Sequence, residues 1–224
     1  TPPEVFGRFE AAASNDLWTG DAMHGIPIAG HKTYLLAFID DHSRLLVGYR
    51  WCHAEDTVRL EAALRAGLAA RGIPGGIYVD NGSAFASKPL LRACASLGIR
   101  LTHSTPRRPE GRGKIERFFR TVRDQFLVEV ATAAPADLVE LNRLFAGWVE
   151  GVYHRRVHSE TGQTPFARFD VTVVVLPTAS QLHDQARAPH AKRSARASSS
   201  ASNKEPGATS RTATPGTGSQ GTHT

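Results

Sequence analysis

Three carboxylates stand where chemistry can be done. Asp80 closes the apolar run Gly76-Ile77-Tyr78-Val79-Asp80 and is followed by Asn81-Gly82. Glu116 lies in Pro109-Glu110-Gly111-Arg112-Gly113-Lys114-Ile115-Glu116-Arg117-Phe118-Phe119, and 35 residues separate it from Asp80. Asp21 lies upstream, in Asp16-Leu17-Trp18-Thr19-Gly20-Asp21. Oxygen ligands of this kind suit hard divalent cations such as Mg²⁺ or Mn²⁺. Two such ions can clamp the attacking and leaving oxygens of an in-line phosphoryl displacement. The last of the three acids sits in basic sequence, which points to a phosphodiester as the group acted on.

The charge distribution supports that partner. The chain carries a net charge of +6, but residues 178–224 hold six Lys/Arg against two Asp/Glu, leaving only +2 for residues 1–177. Within that part, residues 100–123 hold eight Lys/Arg against Glu110 and Glu116. A solvated helix face can carry such charge. Beside three carboxylates it also fits a phosphate backbone.

Each acid has a bland reading as well. Asp80-Asn81-Gly82 could be a hairpin turn, yet Ser87 to Leu97 has helical spacing and Pro89 near its start. A carboxylate closing a buried strand before a loop and helix is where open α/β sheets place ligands. Glu116, Arg120 and Arg123 share a helix face, so a salt-bridged solvent face explains them as well as a catalytic carboxylate flanked by phosphate contacts. Asp40 and Asp41 compete with Asp21 as the third acid. They fall at an expected hairpin turn, solvent-facing and away from the sheet centre, so Asp21, inside the first strand, is preferred.

Other chemistries find less support. His154 and His158 share a helical spacing, but no Cys-x-x-Cys accompanies them, which argues against zinc. No Walker-type loop occurs, since Gly111-Arg112-Gly113-Lys114 lacks the spacing. No nucleophile elbow is present. Cys52 and Cys94 are isolated and read as buried thiols in a reducing compartment. No apolar run approaches the ~20 residues that span a bilayer. The chain begins Thr1-Pro2-Pro3-Glu4, without a Met or a signal pattern, and reads as a fragment.

Positioning these acids needs a sheet. Residues 17–22, Thr33–Ile39 and Leu45–Trp51 read as strands, the last two joined by the turn Asp40-Asp41-His42-Ser43. Asp56 caps a helix whose apolar positions Leu60, Ala63, Leu64, Gly67 and Leu68 run up to Gly72. Ile77–Val79 is a short buried strand. Lys88-Pro89 opens a helix through Ala95, and Ile99–Thr102 is strand-like. Residues 103–113 read as a mobile loop. Ile115, Phe118, Phe119, Val122 and Phe126 form one helical stripe, and Pro135 opens another helix with Leu138, Leu141, Leu144, Phe145 and Trp148 on its buried face. The order predicts an α/β fold, a mixed five-stranded sheet flanked by helices, with a meander and parallel strands reached by helical crossovers. After Leu182 there is no Val, Ile, Leu, Phe, Met, Trp, Tyr or Cys, so the tail is expected to be disordered. The chain divides into a linker at 1–14, a core at 15–177 and a basic low-complexity tail at 178–224.

At these residues the chain resembles the DDE transposase and retroviral-integrase catalytic core, in the form found in bacterial insertion-sequence transposases. Trp18-Thr19-Gly20-Asp21, Phe38-Ile39-Asp40-Asp41-His42-Ser43-Arg44, Tyr78-Val79-Asp80-Asn81-Gly82-Ser83-Ala84-Phe85 and the Glu116 segment carry the likeness. Tyr153-His154-Arg155-Arg156-Val157-His158-Ser159 and Thr161-Gly162-Gln163-Thr164-Pro165 resemble that family's end segment. The resemblance implies an RNase H-like fold and two Mg²⁺, replaceable by Mn²⁺, on Asp21, Asp80 and Glu116. It implies nicking of transposon ends by water and joining of the freed 3′-OH to target DNA, without a covalent enzyme intermediate. Arg107, Arg108, Arg112, Lys114, Arg117 and Arg120 become candidate DNA contacts, Lys114 foremost, in a loop that orders on DNA. The resemblance also implies a homo-oligomer on DNA in a bacterial cytoplasm, beside the nucleoid, with no membrane partner. The family's N-terminal end-reading helix-turn-helix is not in this sequence. Residues Val171–Leu182 look like the approach to a small β-rich domain that an altered reading frame or degenerate end replaces. A catalytically inactive DNA-binding remnant and a different RNase H-like nuclease are the alternatives.

Overall fold

The computed structural model describes residues 10–104 and 112–182. The expected order of elements is what forms. Strands β1 (Trp18–His24), β2 (Tyr34–Asp40) and β3 (Leu46–Cys52) are followed by helix α1 (Thr57–Arg71), β4 (Gly76–Val79), α2 (Lys88–Ser96) and β5 (Arg100–His103). Helices α3 (Gly113–Thr121), α4 (Leu127–Ala133), α5 (Leu138–Trp148) and the short α6 (Pro165–Arg168) complete the described part. The five strands lie in the order β3-β2-β1-β4-β5, with β3, β2 and β1 antiparallel and β1, β4 and β5 parallel. Helical crossovers allow the parallel pairs.

Local signals explain most boundaries. Asp56 caps α1 by accepting from the Arg59 N–H, and Gly72, at φ 90°, ends it. Ser87 caps α2, with Pro89 in its first turn. The β2–β3 turn is closed by Asp40, whose Oδ1 accepts from the Ser43 backbone N–H at 2.7 Å and from its hydroxyl at 2.6 Å. Arg44 then takes a left-handed conformation, φ 67°.

Side-chain alternation along β1 builds a core on each face of the sheet. Trp18, with Leu36, Phe38, Ile77 and Val79, packs against α1 and α2. Met23, with Leu35, Ala37 and Ile39, packs against the stripe of α3, the segment just after it and α5: Ile115, Phe118, Phe119, Phe126, Phe145 and Trp148. Asp21 shares the α3 face with Met23.

Three expectations need correction. Pro135 does not open α5. It is buried in the link after Ala134, and Asp137 caps the helix by accepting from the Glu140 N–H at 2.8 Å. The stripe from 115 to 126 is not one regular helix: Val122–Phe126 takes π-helical hydrogen bonding, and Val149–Tyr153 does the same beyond α5. Lys114 lies in the first turn of α3, not in a loop. Residues 105–111 and 183–224, with Arg107, Arg108 and nearly all of the basic tail, lie outside the described residues.

Candidate active site

β1 and β4 bring Asp21 and Asp80 together. They pair in parallel with Trp18 opposite Ile77 and Thr19 opposite Tyr78, and extending this register two residues sets Asp21 beside Asp80. Gly20 is needed here, because a Cβ at that position would lie 2.5 Å from the Phe38 ring and 3.1 Å from the Val79 side chain. Asp80 follows the last residue of β4 and turns the chain, its Oδ1 accepting from the Gly82 N–H at 2.8 Å. The hairpin reading of Asp80-Asn81-Gly82 therefore gives way to a strand–loop–helix passage.

A guanidinium sits between the two acids. Arg112 donates to Asp21 Oδ2 at 2.7 Å and lies 3.9 Å from Asp80 Oδ2. Burial pushes the Asp21 carboxyl above its usual range, and the hydrogen bonds from Arg112 and from the Ala22 N–H only partly offset it. Burial pulls Arg112 the other way, but the hydrogen bond to Asp21 and the charges of Asp21, Asp80 and Glu116 hold it above its ordinary value overall. The pair thus favours a positive charge between its oxygens.

Glu116 stands one helical turn beyond Arg112, and its N–H donates to the Arg112 carbonyl at 3.0 Å. It is exposed, as are Arg120 and Arg123. Among the described residues no ion pair joins Glu116 to either arginine, so the salt-bridged reading of that face is not what forms. Nor do three His, Cys, Asp or Glu side chains gather closely enough to hold a metal ion among the described residues. Asp21 and Asp80 meet, and Glu116 remains apart from them.

Glu55 is a residue that sequence reasoning missed. Burial raises its carboxyl above the usual range, and the nearby charges of Asp80 and Asp21 raise it further. It precedes the α1 cap, in the link that follows β3. Only the fold brings it near the pair, and no local pattern marks it.

Asp40 and Asp41 are interior, not solvent-facing. Both are fully buried. Besides closing its turn, Asp40 accepts from the Asn15 N–H at 2.8 Å. Asp41 accepts from the Ala11 N–H at 2.7 Å and from Lys114 Nζ at 2.5 Å. Lys114, the foremost candidate phosphate contact, is therefore turned inward. Among the described residues, His154 and His158 join no group of three candidate metal ligands. His154 Nε2 accepts from the Leu46 N–H at 3.1 Å.

The five-stranded mixed sheet with its flanking helices is the RNase H-like architecture, and solved structures share it. One is a simian T-cell lymphotropic virus intasome in complex with a PP2A regulatory subunit, with a TM-score of 0.65 at 21% identity over 77% of this chain and 61% of that one. Another is the HTLV-2 integrase catalytic core domain in complex with magnesium, with a TM-score of 0.60 at 19% identity over 72% of this chain and all of that one. Two integrase core domain family models match residues 11–109 and 97–165. The transposase for transposon Tn552 of Staphylococcus aureus is 30% identical over 185 residues, 72% of this chain. The chain belongs to the integrase core family of transposases and retroviral integrases. It spans 38% of the length of the Tn552 transposase and 10% of the Gag-Pol polyprotein of avian reticuloendotheliosis virus, which is 27% identical over 117 residues.

Proposed function

We propose that this chain is the catalytic core of a transposase that cuts and joins DNA by metal-dependent phosphoryl transfer, nicking 3′ ends and transferring them to target DNA. The observation that carries the reading is the meeting of Asp21 and Asp80 at adjacent parallel strands, around a cation, with Glu116 one turn further along α3. Asp21, Asp80 and Glu116 are the residues that would hold two Mg²⁺ or Mn²⁺. Bound there, the ions would supply charge stabilisation to the attacking and leaving oxygens.

The chain's own groups do the rest. The buried Asp21 is a poor carboxylate without a positive neighbour, which tunes it to hold one. Glu116 is exposed on the first turn of α3 and free of an arginine partner among the described residues, so its rotamer can change to join the pair. The site offers oxygen ligands and no thiol nucleophile. Cys52 and Cys94 are buried, and burial pushes the Cys94 thiol up to about 12. Arg112, Arg117 and Arg120 are the described candidates to hold the DNA backbone, with Arg107 and Arg108 beside them in sequence. Lys114 serves Asp41 instead. DNA ends and target DNA are the proposed substrates, a homo-oligomer on DNA the proposed assembly, and the bacterial cytoplasm, beside the nucleoid, the proposed place.

Supercoiled plasmid carrying the element's ends, incubated with Mg²⁺ or Mn²⁺, tests the reading. Wild type is expected to nick only with metal, and Glu116→Gln to lose about 10²-fold or more of that rate while binding DNA as before. If neither protein nicks but both bind DNA, the chain is a DNA-binding remnant. Cleavage confined to RNA–DNA hybrids or four-way junctions would identify another RNase H-like nuclease.

A further inference from the structure

Beside the face of α3 that carries Glu116 and Arg120 lies a cleft of about 200 Å³. Arg117, Thr121 and Gln125 line one wall, and Arg156, His158 and Ser159 line the other. Its walls are built rather than loose. The Arg156 N–H donates to the Val152 carbonyl at 3.0 Å, and the His158 N–H to the Gln163 carbonyl at 2.9 Å. Beneath them the Phe118 and Tyr153 rings meet edge-on at 4.9 Å, and the Tyr153 hydroxyl donates to the Arg44 carbonyl at 3.0 Å. Both π-helical segments run into this cleft, one bringing Gln125 and the other Tyr153. Such segments concentrate at functional sites.

The lining is cationic and rich in neutral donors. Arg117 gives one guanidinium nitrogen to Glu160 and keeps other N–H donors in its fork. Arg156 is exposed and has no carboxylate partner among the described residues. Arg120 and Arg123 are exposed nearby on the same helix and its π-helical extension. Thr121 lies five residues beyond Glu116, about 7.5 Å along the helix axis.

We propose that this cleft seats a backbone phosphate of duplex DNA flanking the reacting one, with Arg156 and Arg117 as the charged contacts. The inference rests on DNA as the substrate. It adds a phosphate subsite built by the 153–159 segment, which lies outside the three acids and the basic stretch around Glu116.

The test is fluorescence anisotropy of a labelled duplex of about 30 base pairs with the full chain, titrated over a range of NaCl without divalent metal. One lost phosphate contact lowers the magnitude of the slope of log affinity against log salt by about 0.9. Arg156→Ala is expected to show that change and several-fold weaker binding, and Arg156→Lys to keep the slope. Arg92→Ala, which removes the same charge from the exposed side of α2 across the sheet, is expected to behave as wild type. If Arg156→Ala matches Arg92→Ala while Arg120→Ala weakens binding, DNA is bound but this cleft does not hold it. If wild type shows no salt-dependent duplex binding at all, the DNA reading falls and the subsite with it.

Discussion

Asp41 and Lys114 show how a residue's surroundings decide its role. Asp-Asp-His-Ser reads locally as a turn, and a turn it is, but the turn is folded inward. Its second carboxylate meets an amine from 73 positions further along the chain. The side chains are 1% and 10% exposed, and burial lowers the Lys114 amine below its ordinary value even with Asp41 beside it. Removing one member of a buried pair strands the other charge, at a cost of about 3–5 kcal/mol. Lys114→Ala is therefore expected to lower unfolding free energy by about that amount in urea. Lys114→Met combined with Asp41→Asn should recover most of it, because no unpaired charge remains. A DNA phosphate contact would behave otherwise: Lys114→Ala would keep its stability and flatten the salt dependence of DNA binding.

Among the elements, α1 and β3 approach closely through two glycines. A Cβ on Gly67 would lie 2.9 Å from the Val47 carbonyl oxygen and 3.1 Å from Gly48 Cα, and one on Gly48 would lie 2.6 Å from the Ala63 carbonyl oxygen. These neighbours are backbone atoms and cannot rotate away. Gly67→Ala should lift the helix from β3 and cost about 1–3 kcal/mol, despite the better helix propensity of alanine. Ala66→Ser, on the exposed side, should stay within about 0.5 kcal/mol, and thermal unfolding of the two variants separates these effects. Such contacts also mark what the sequence could disclose. Caps, period and turn chemistry are local, so the Asp56 cap, the helix opening at Lys88-Pro89, the meander and the α1 stripe were legible, as were Asp21 inside the first strand and Asp80 at the end of a buried one. The inward turn of Asp41, the Arg112 contact between the two acids and the approach of Glu55 depend on partners tens of residues away, which no local pattern contains. The π-helical segments were hidden for another reason. Their extra residue barely disturbs a hydrophobic stripe, so Ile115 to Phe126 reads as one helix.

At the scale of the molecule, the segment after α5 closes the described fold by returning to the first strands. The Phe166 N–H donates to the His154 carbonyl, Arg168 pairs with Glu10, the Asp170 N–H donates to Ser14 Oγ at 3.0 Å and the Ile73 N–H to the Val175 carbonyl at 2.8 Å. His154 is the buried joint of this return. Its Nε2 accepts from the Leu46 N–H, so the proton of the neutral ring sits on Nδ1, facing Glu150 Oε2 at 3.2 Å. That approach is poorly aligned, so it is an electrostatic contact rather than a full hydrogen bond. Burial lowers the imidazole below its ordinary value; the charge of Glu150 acts against that shift, and the charge of Arg71 adds to it. A folded pKa below the unfolded one, about 6.5, means that only the unfolded chain gains the proton at first as pH falls. The stability linked to His154 is thus complete above about pH 6.5 and declines as pH drops toward the folded value, by at most about 1.4 kcal/mol per pH unit. His154→Gln loses the ring's packing and should be less stable near pH 7.5 by about 1–3 kcal/mol, but it has no imidazole to titrate. Urea unfolding of both proteins between about pH 7.5 and about pH 5.5 should show the gap between them narrowing. A gap that stays constant would mean that the folded protein accommodates a charged His154, and the end segment would then be held by the surface pairs around Glu10 rather than by this joint.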